Sequence, residues 1–201
     1  MPSDELIHRV KRIYEAIGAL EEHDLEKLRA VEVRTEKLIF VHQDFSGGQS
    51  IEKLSNIAYS LVQNIANLRD HLRRWAVQNG NQKGKVDETF RNSISLQIVQ
   101  DLWNNDKHGY PPRGGGFSGR SPKIGEVHRI MQLATRPEKG SWVTMTLGRG
   151  GIPRVSGTGS GRAIITADVW DKDGKRLGDL HEIAEEAVQA WEQLLKEFGV
   201  K

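Results

Sequence analysis

The chain has 201 residues, 37% apolar and 28% charged, with 29 Lys and Arg against 27 Asp and Glu, and is long enough to bury a core without metal or disulfide support. It contains no cysteine, which excludes disulfide staples, thiolate zinc sites, iron–sulfur clusters and cysteine nucleophiles. No apolar run approaches the roughly 20 residues needed to span a bilayer, and the opening MPSDELIHRVKRIYE lacks the basic-then-apolar order of a signal peptide; the expectation is a soluble, cytoplasmic protein that does not engage a membrane.

Charge is unevenly distributed. Residues 1–108 carry 15 Lys/Arg against 16 Asp/Glu, residues 109–162 carry 9 against 2, and residues 163–201 carry 5 against 9. A basic middle beside an acidic end suits either a surface that meets phosphate or a segment lying on the chain's own acidic helix.

Helical spacing dominates the first half. Leu6, Val10, Ile13, Ile17 and Leu20 recur at steps of three and four, one face of a helix, with Ser3 as a cap. Asp24 can cap a second helix carrying Leu25, Leu28, Val31, Leu38 and Phe45, ended by Gly47-Gly48; whether residues 4–45 form one bent helix or two is left open. Ser50 opens the strongest helix, through Leu54, Leu61, Ile65 and Leu72, closed by Asn79-Gly80. Asp87 begins a fourth with Phe90, Ile94, Ile98 and Leu102, which must stop near His108-Gly109 because Pro111 and Pro112 follow.

From Gly109 the composition shifts. GYPPRGGGFSGRSPKIG, residues 109–125, has too many glycines and prolines for a helix or interior strand. Val127 to Leu133, Trp142 to Leu147 and Ala163 to Trp170 are rich in β-branched and aromatic residues and predict a small antiparallel sheet. Asp173-Gly174 marks a hairpin turn, and from Asp179 an amphipathic helix with Leu180, Ile183, Ala187, Trp191 and Leu194 packs back on the bundle. The expected fold is mostly α: one domain over 1–201, made of a helical bundle (1–108), a Gly-rich basic loop with a small antiparallel sheet (109–178), and a C-terminal helix (179–201).

One polar constellation stands out. At about 100° per residue, Arg69 falls about 40° from Ile65, inside an apolar stripe. A buried guanidinium needs a carboxylate, and Asp101, at the edge of the next helix's stripe, is the expected partner. Asn104 and His108 follow on the same flank, one turn apart, able to hold a phosphate or a ribose hydroxyl or to pass a proton. The same residues also read as a structural Arg69–Asp101 pair with two capping side chains.

The segments NLRDHLRRW (67–75) and DLWNNDKHG (101–109) resemble the HEPN superfamily, helical bundles of prokaryotic toxin–antitoxin and phage-defence systems. The resemblance implies a homodimer with its cleft between protomers, RNA as substrate or ligand, and a cognate antitoxin or defence-system partner. Many members are metal-independent ribonucleases with a motif of arginine, a polar residue, a few spacers and histidine. Asn104 would match the polar position and His108 the histidine, with His108 as general acid or base and Arg69 stabilising negative charge from another helix. Trp103 stands where the motif arginine belongs.

Other signals are weaker. Arg176 to His181 spells the motif across a strand-to-helix junction, where chance explains it. Gly114-Gly115-Gly116 and the run from Gly148 to Gly161 precede no Lys-Ser/Thr and read as mobile loops rather than phosphate cradles. Their arginines Arg113, Arg120, Arg149, Arg154 and Arg162, with Tyr110, Phe117 and Trp142, mix phosphate contacts and stacking faces as single-strand binders do, or simply line solvated loops. His8, His23, His42, His71, His128 and His181 show no metal-ligand spacing, so neither metal nor cofactor is expected. A HEPN-like protein with an RNA or nucleotide site that is active or inactive, a protein-interaction module, and a nucleic-acid binder acting through the basic segment all fit.

Overall fold

In the computed structural model the described residues are 3–18, 31–34, 39–42, 50–109, 113–135, 140–147 and 153–200. Helix α1 (Ser3–Gly18) is followed by a hairpin of β1 (Val31–Arg34) and β2 (Ile39–His42), then by α2 (Ile51–Gln78), α3 (Lys83–Asn92) and α4 (Ile94–His108). The second half holds β3 (Lys123–Ile124), β4 (His128–Ala134), β5 (Val143–Leu147), β6 (Pro153–Gly157), β7 (Ser160–Thr166), β8 (Asp168–Trp170), β9 (Arg176–Asp179) and α5 (Leu180–Glu197). The molecule is mostly helical, with antiparallel strands ahead of the last helix.

Local chemistry sets several of the described helix ends. The Ser50 side chain accepts from Lys53 N at 3.3 Å and starts α2; the Asp179 side chain accepts from His181 N at 2.8 Å and starts α5. Helix α4 ends where Gly109 enters the left-handed region at φ 70°, a conformation glycine adopts without penalty.

Two helix expectations are corrected. Val31–Arg34 and Ile39–His42 are not helical: Val31 pairs with His42 and Arg34 with Ile39. The alternation Val31-Glu32-Val33-Arg34 has the two-residue period of a strand, and its β-branched residues lose rotamer freedom in a helix. The expected cap at Asp24 and stop at Gly47-Gly48 lie outside the described residues. The helix expected from Asp87 to His108 is two helices. Ser93 breaks it by accepting from Leu96 N at 3.3 Å and capping α4, so Asp87 lies inside α3 instead of opening a helix.

The core runs through all five described helices. Leu6 and Ile13 of α1, Ile65, Leu68 and Leu72 of α2, Val86 and Phe90 of α3, Val99 and Leu102 of α4, and Val188, Trp191 and Leu194 of α5 belong to one buried cluster. Val169 of β8 and Ala167, between β7 and β8, join it. Each of the larger side chains contributes roughly 1.5–3 kcal/mol by leaving water, and the α5 stripe accounts for its return onto α1, α2, α3 and α4.

The strands after α4 form a three-stranded sheet, β3-β8-β9, and two antiparallel pairs, β4-β7 and β5-β6. The expected strand from Ala163 to Trp170 is split at Ala167 between β7 and β8, and Pro153–Gly157 is a strand although it falls in a run read as a mobile loop. The Asp173-Gly174 turn forms as expected: Asp171 Oδ1 accepts from Asp173 N at 2.9 Å and Lys175 N at 2.8 Å. Thr166 Oγ1 donates to Asp179 Oδ1 and Leu180 N to Ala167 O at 2.8 Å, which ties the sheet to the start of α5.

Candidate functional site

The polar constellation splits into two sites joined by one aromatic residue. Arg69 does not meet Asp101. Its Nη2 lies 2.9 Å from Asp87 Oδ1, and Arg73 Nε approaches Asp87 Oδ2 at 3.6 Å. The expectation that a carboxylate neutralises Arg69 holds, but the carboxylate comes from α3, where Asp87 lies one turn before Phe90. The Arg69 guanidinium lies 3.9 Å over the Phe90 ring and 5.6 Å from the Phe117 ring, within reach of cation–π attraction. The two rings meet edge to face at 5.1 Å.

Asp101 is wholly buried and faces the Gly-rich loop. Its Oδ1 accepts from Phe117 N at 2.8 Å, and its Oδ2 accepts from Ser118 N at 2.8 Å and Ser118 Oγ at 2.7 Å. Three donors aimed at one carboxylate offset much of the cost of burying its charge. The loop must pass very close to make these bonds: Gly116 has φ +74°, and a β-carbon there would sit 2.3 Å from Asp101 Oδ1. Further along, Ser121 N donates to Gly115 O at 2.9 Å, Lys172 N to Arg120 O at 3.1 Å, and Asn105 Nδ2 to Pro122 O at 3.4 Å. Residues 114–122 are thus a fixed surface element wrapped along α4, and the mobile-loop reading of Gly114-Gly115-Gly116 is corrected.

Asn104 and His108 stay one turn apart at the end of α4. Asn104 Oδ1 accepts weakly from Gln100 Nε2 at 3.4 Å, and His108 is exposed. Near this turn, burial and the neighbouring Asp106 carboxylate push the Tyr59 phenol above its usual range. Arg69 is committed to Asp87 and Phe90, so the structure does not bring Arg69, Asn104 and His108 together as a catalytic trio.

The arginines of the basic segment are dispersed. Arg120 is exposed, three residues after Phe117, which is 53% exposed. Arg113 begins a 3₁₀ turn (Arg113–Gly115), Arg154 lies in β6, and Arg162 lies in β7 opposite Gln132; Arg149 and Tyr110 fall outside the described residues. The Arg176–His181 spelling has no shared site: Arg176 Nε pairs with Asp168 Oδ1 on the sheet, while His181 is buried with its Nε2 3.1 Å from Glu185 Oε1.

No protein-family model matches this chain. Neither a characterised protein nor a solved structure is significantly similar to it. Sequence reasoning missed Asp87 as the partner of Arg69, Asn105 as a tether for the loop, and a polar cluster on the opposite face of α2. The signal for the last was present, since Asn64, Asn67 and His71 recur at steps of three and four. No described helix is long and apolar enough to cross a membrane.

Proposed function

We propose that this is a HEPN-like protein of the prokaryotic defence or toxin–antitoxin type that binds single-stranded RNA on the surface formed by the Gly-rich loop and α4, without cleaving it. The supporting observation is the rigid display of Phe117: Asp101 holds its backbone while the ring stays half exposed within 5.6 Å of the Arg69 guanidinium, and Arg120 is exposed three residues further along the same loop. A fixed aromatic face with flanking cations is the arrangement on which unpaired bases stack while phosphates are neutralised. The ordered loop reduces the entropy lost on binding. Cleavage is not part of the reading, because Arg69 is held by Asp87 and Trp103 occupies the motif position that an arginine would fill. The homodimer and the cognate partner protein implied by the resemblance belong to this reading.

Fluorescence anisotropy with a labelled RNA oligonucleotide tests it. Binding should weaken steeply as salt rises, and Phe117→Ala should lower affinity about tenfold, the worth of roughly one stacked base. Arg120→Gln should reduce the salt dependence, and the RNA should remain intact with both the wild-type protein and His108→Ala. No binding at low salt, or equal binding by Phe117→Ala, would overturn the RNA reading. Cleavage that His108→Ala abolishes would replace it with a ribonuclease.

A protein-interaction module is the second reading, favoured by the β5-β6 pair. Trp142, beside β5, is exposed at 50% and Met145, within it, at 53%, large apolar side chains of the kind that anchor interfaces.

A further inference from the structure

Between α1 and α2 lies a cavity of about 120 Å³ lined by Arg9, Arg12, Ile13, Asn64, Asn67, Leu68 and His71. Apart from Ile13 and Leu68, every lining side chain carries hydrogen-bond donors, and none is a carboxylate. Two arginines, two asparagines and a histidine therefore line one small space. We propose that this cavity is an oxyanion site that takes a phosphoryl group.

The spacing that builds it is simple. Asn64, Asn67 and His71 form one stripe of α2, and Arg9 and Arg12, three apart on α1, face that stripe across the helix pair. At about 100° per residue Arg69 lies nearly opposite this stripe, so the cavity is separate from the Phe117 surface and does not rest on the RNA reading.

Three properties select the ligand class. The first is unmet donor capacity: Arg9 Nε is buried with no hydrogen-bond partner among the described residues, although Arg9 Nη2 reaches Glu5 Oε1 at 3.1 Å. A buried donor without an acceptor is costly, and an anion that draws the Arg9 guanidinium toward the cavity relieves that cost.

Charge is the second property. Burial and the neighbouring Arg9 and Arg74 cations lower the His71 pKa, against the weaker opposing pull of Glu5 and Asp70. A neutral imidazole offers one N–H while Arg9 and Arg12 supply the positive charge, and guanidinium forks match the oxygens of a phosphate in pairs.

Size is the third. About 120 Å³ accommodates a tetrahedral group with its hydration partly removed, yet falls below the roughly 300 Å³ at which pockets enclose whole small molecules. A base or sugar attached to the phosphoryl group would have to lie outside the cavity.

The free ion and the terminal phosphoryl of a nucleotide share this chemistry, and calorimetry on the full chain separates them. Inorganic phosphate and adenosine 5′-monophosphate are titrated into the wild-type protein, Arg12→Gln, Asn64→Ala and Phe117→Ala, with adenosine as the comparison lacking a phosphoryl group. Arg12 and Asn64 are exposed enough for their variants to fold, which circular dichroism verifies. The expected result is phosphate binding at millimolar concentration or tighter, weakened about tenfold by Arg12→Gln as one charge-assisted contact is lost, and unchanged in Phe117→Ala. Weakening by Asn64→Ala is also expected. Tighter binding of the nucleotide than of phosphate, lost in Arg12→Gln, assigns the site to a terminal phosphoryl group; equal or weaker binding assigns it to the free ion. Absence of phosphate binding, equal affinities in Arg12→Gln and wild type, or equal binding of adenosine and its monophosphate would overturn the proposal.

Discussion

Gly116 passes so close to Asp101 that a β-carbon on it would lie within 2.3 Å of the buried carboxylate. The contact explains how a chain segment dense in glycine becomes ordered. The carboxylate is the acceptor around which the backbone folds, and the missing side chain is what lets the backbone reach it.

Asp101→Ala should destabilise the protein by roughly 3 kcal/mol, because the Phe117 and Ser118 amides and the Ser118 hydroxyl lose a charged acceptor. Gly116→Ala should also destabilise it, through the clash and the positive φ that alanine resists. The double variant should cost less than the sum, since truncating Asp101 vacates the space that a β-carbon on residue 116 needs. Urea denaturation of the four proteins reads this coupling, and strict additivity would show that the loop does not close on Asp101.

Arg69 is expected to couple energetically to Asp87 and not to Asp101. The pair is partly exposed, at 20% for the Arg69 side chain and 26% for Asp87, so the coupling in a double-mutant cycle should be roughly 1 kcal/mol. The Arg69/Asp101 cycle should give zero within error. A larger coupling to Asp101 than to Asp87 would contradict the Arg69–Asp87 pairing.

Tyr14 should shape the alkaline limit of stability. Burial, then the hydrogen bond to Glu192 and its charge, with Glu185 behind, push its phenol from 10.0 up to about 12. The unfolded chain ionises first, so this contribution is complete below the ordinary tyrosine pKa and is lost as pH rises from there through about 12. Tyr14→Phe should therefore lose stability less steeply over that range. Superimposable alkaline denaturation curves for the two proteins would show that Tyr14 is not held neutral by its surroundings.

Helix ends were legible in the sequence wherever one residue acts on its own backbone. Ser50, Asp179 and Gly109 terminate or begin helices by bonds and dihedral angles spanning a few residues, and they do so regardless of what packs nearby. The Asp173-Gly174 turn is of the same kind. Apolar spacing likewise placed Leu61, Ile65 and Leu72 on the buried side of α2, and Leu180, Ile183 and Trp191 on that of α5.

Choices among distant partners depended on tertiary structure. Periodicity correctly required a carboxylate for Arg69, yet it pointed to Asp101 where the structure supplies Asp87; that choice turned on the helix break at Ser93, which swings α3 against α2. Asp101 found its donors in a loop whose glycines look, in sequence, like freedom. The α1–α2 cavity joins Arg9 and Arg12 to residues more than fifty positions away, so neither half signals the other. Caps, turns and apolar faces are set by forces acting within a turn or two of chain and are therefore written locally, whereas the partner of a charge is set by which surfaces packing brings together, and that is decided only when the whole core closes.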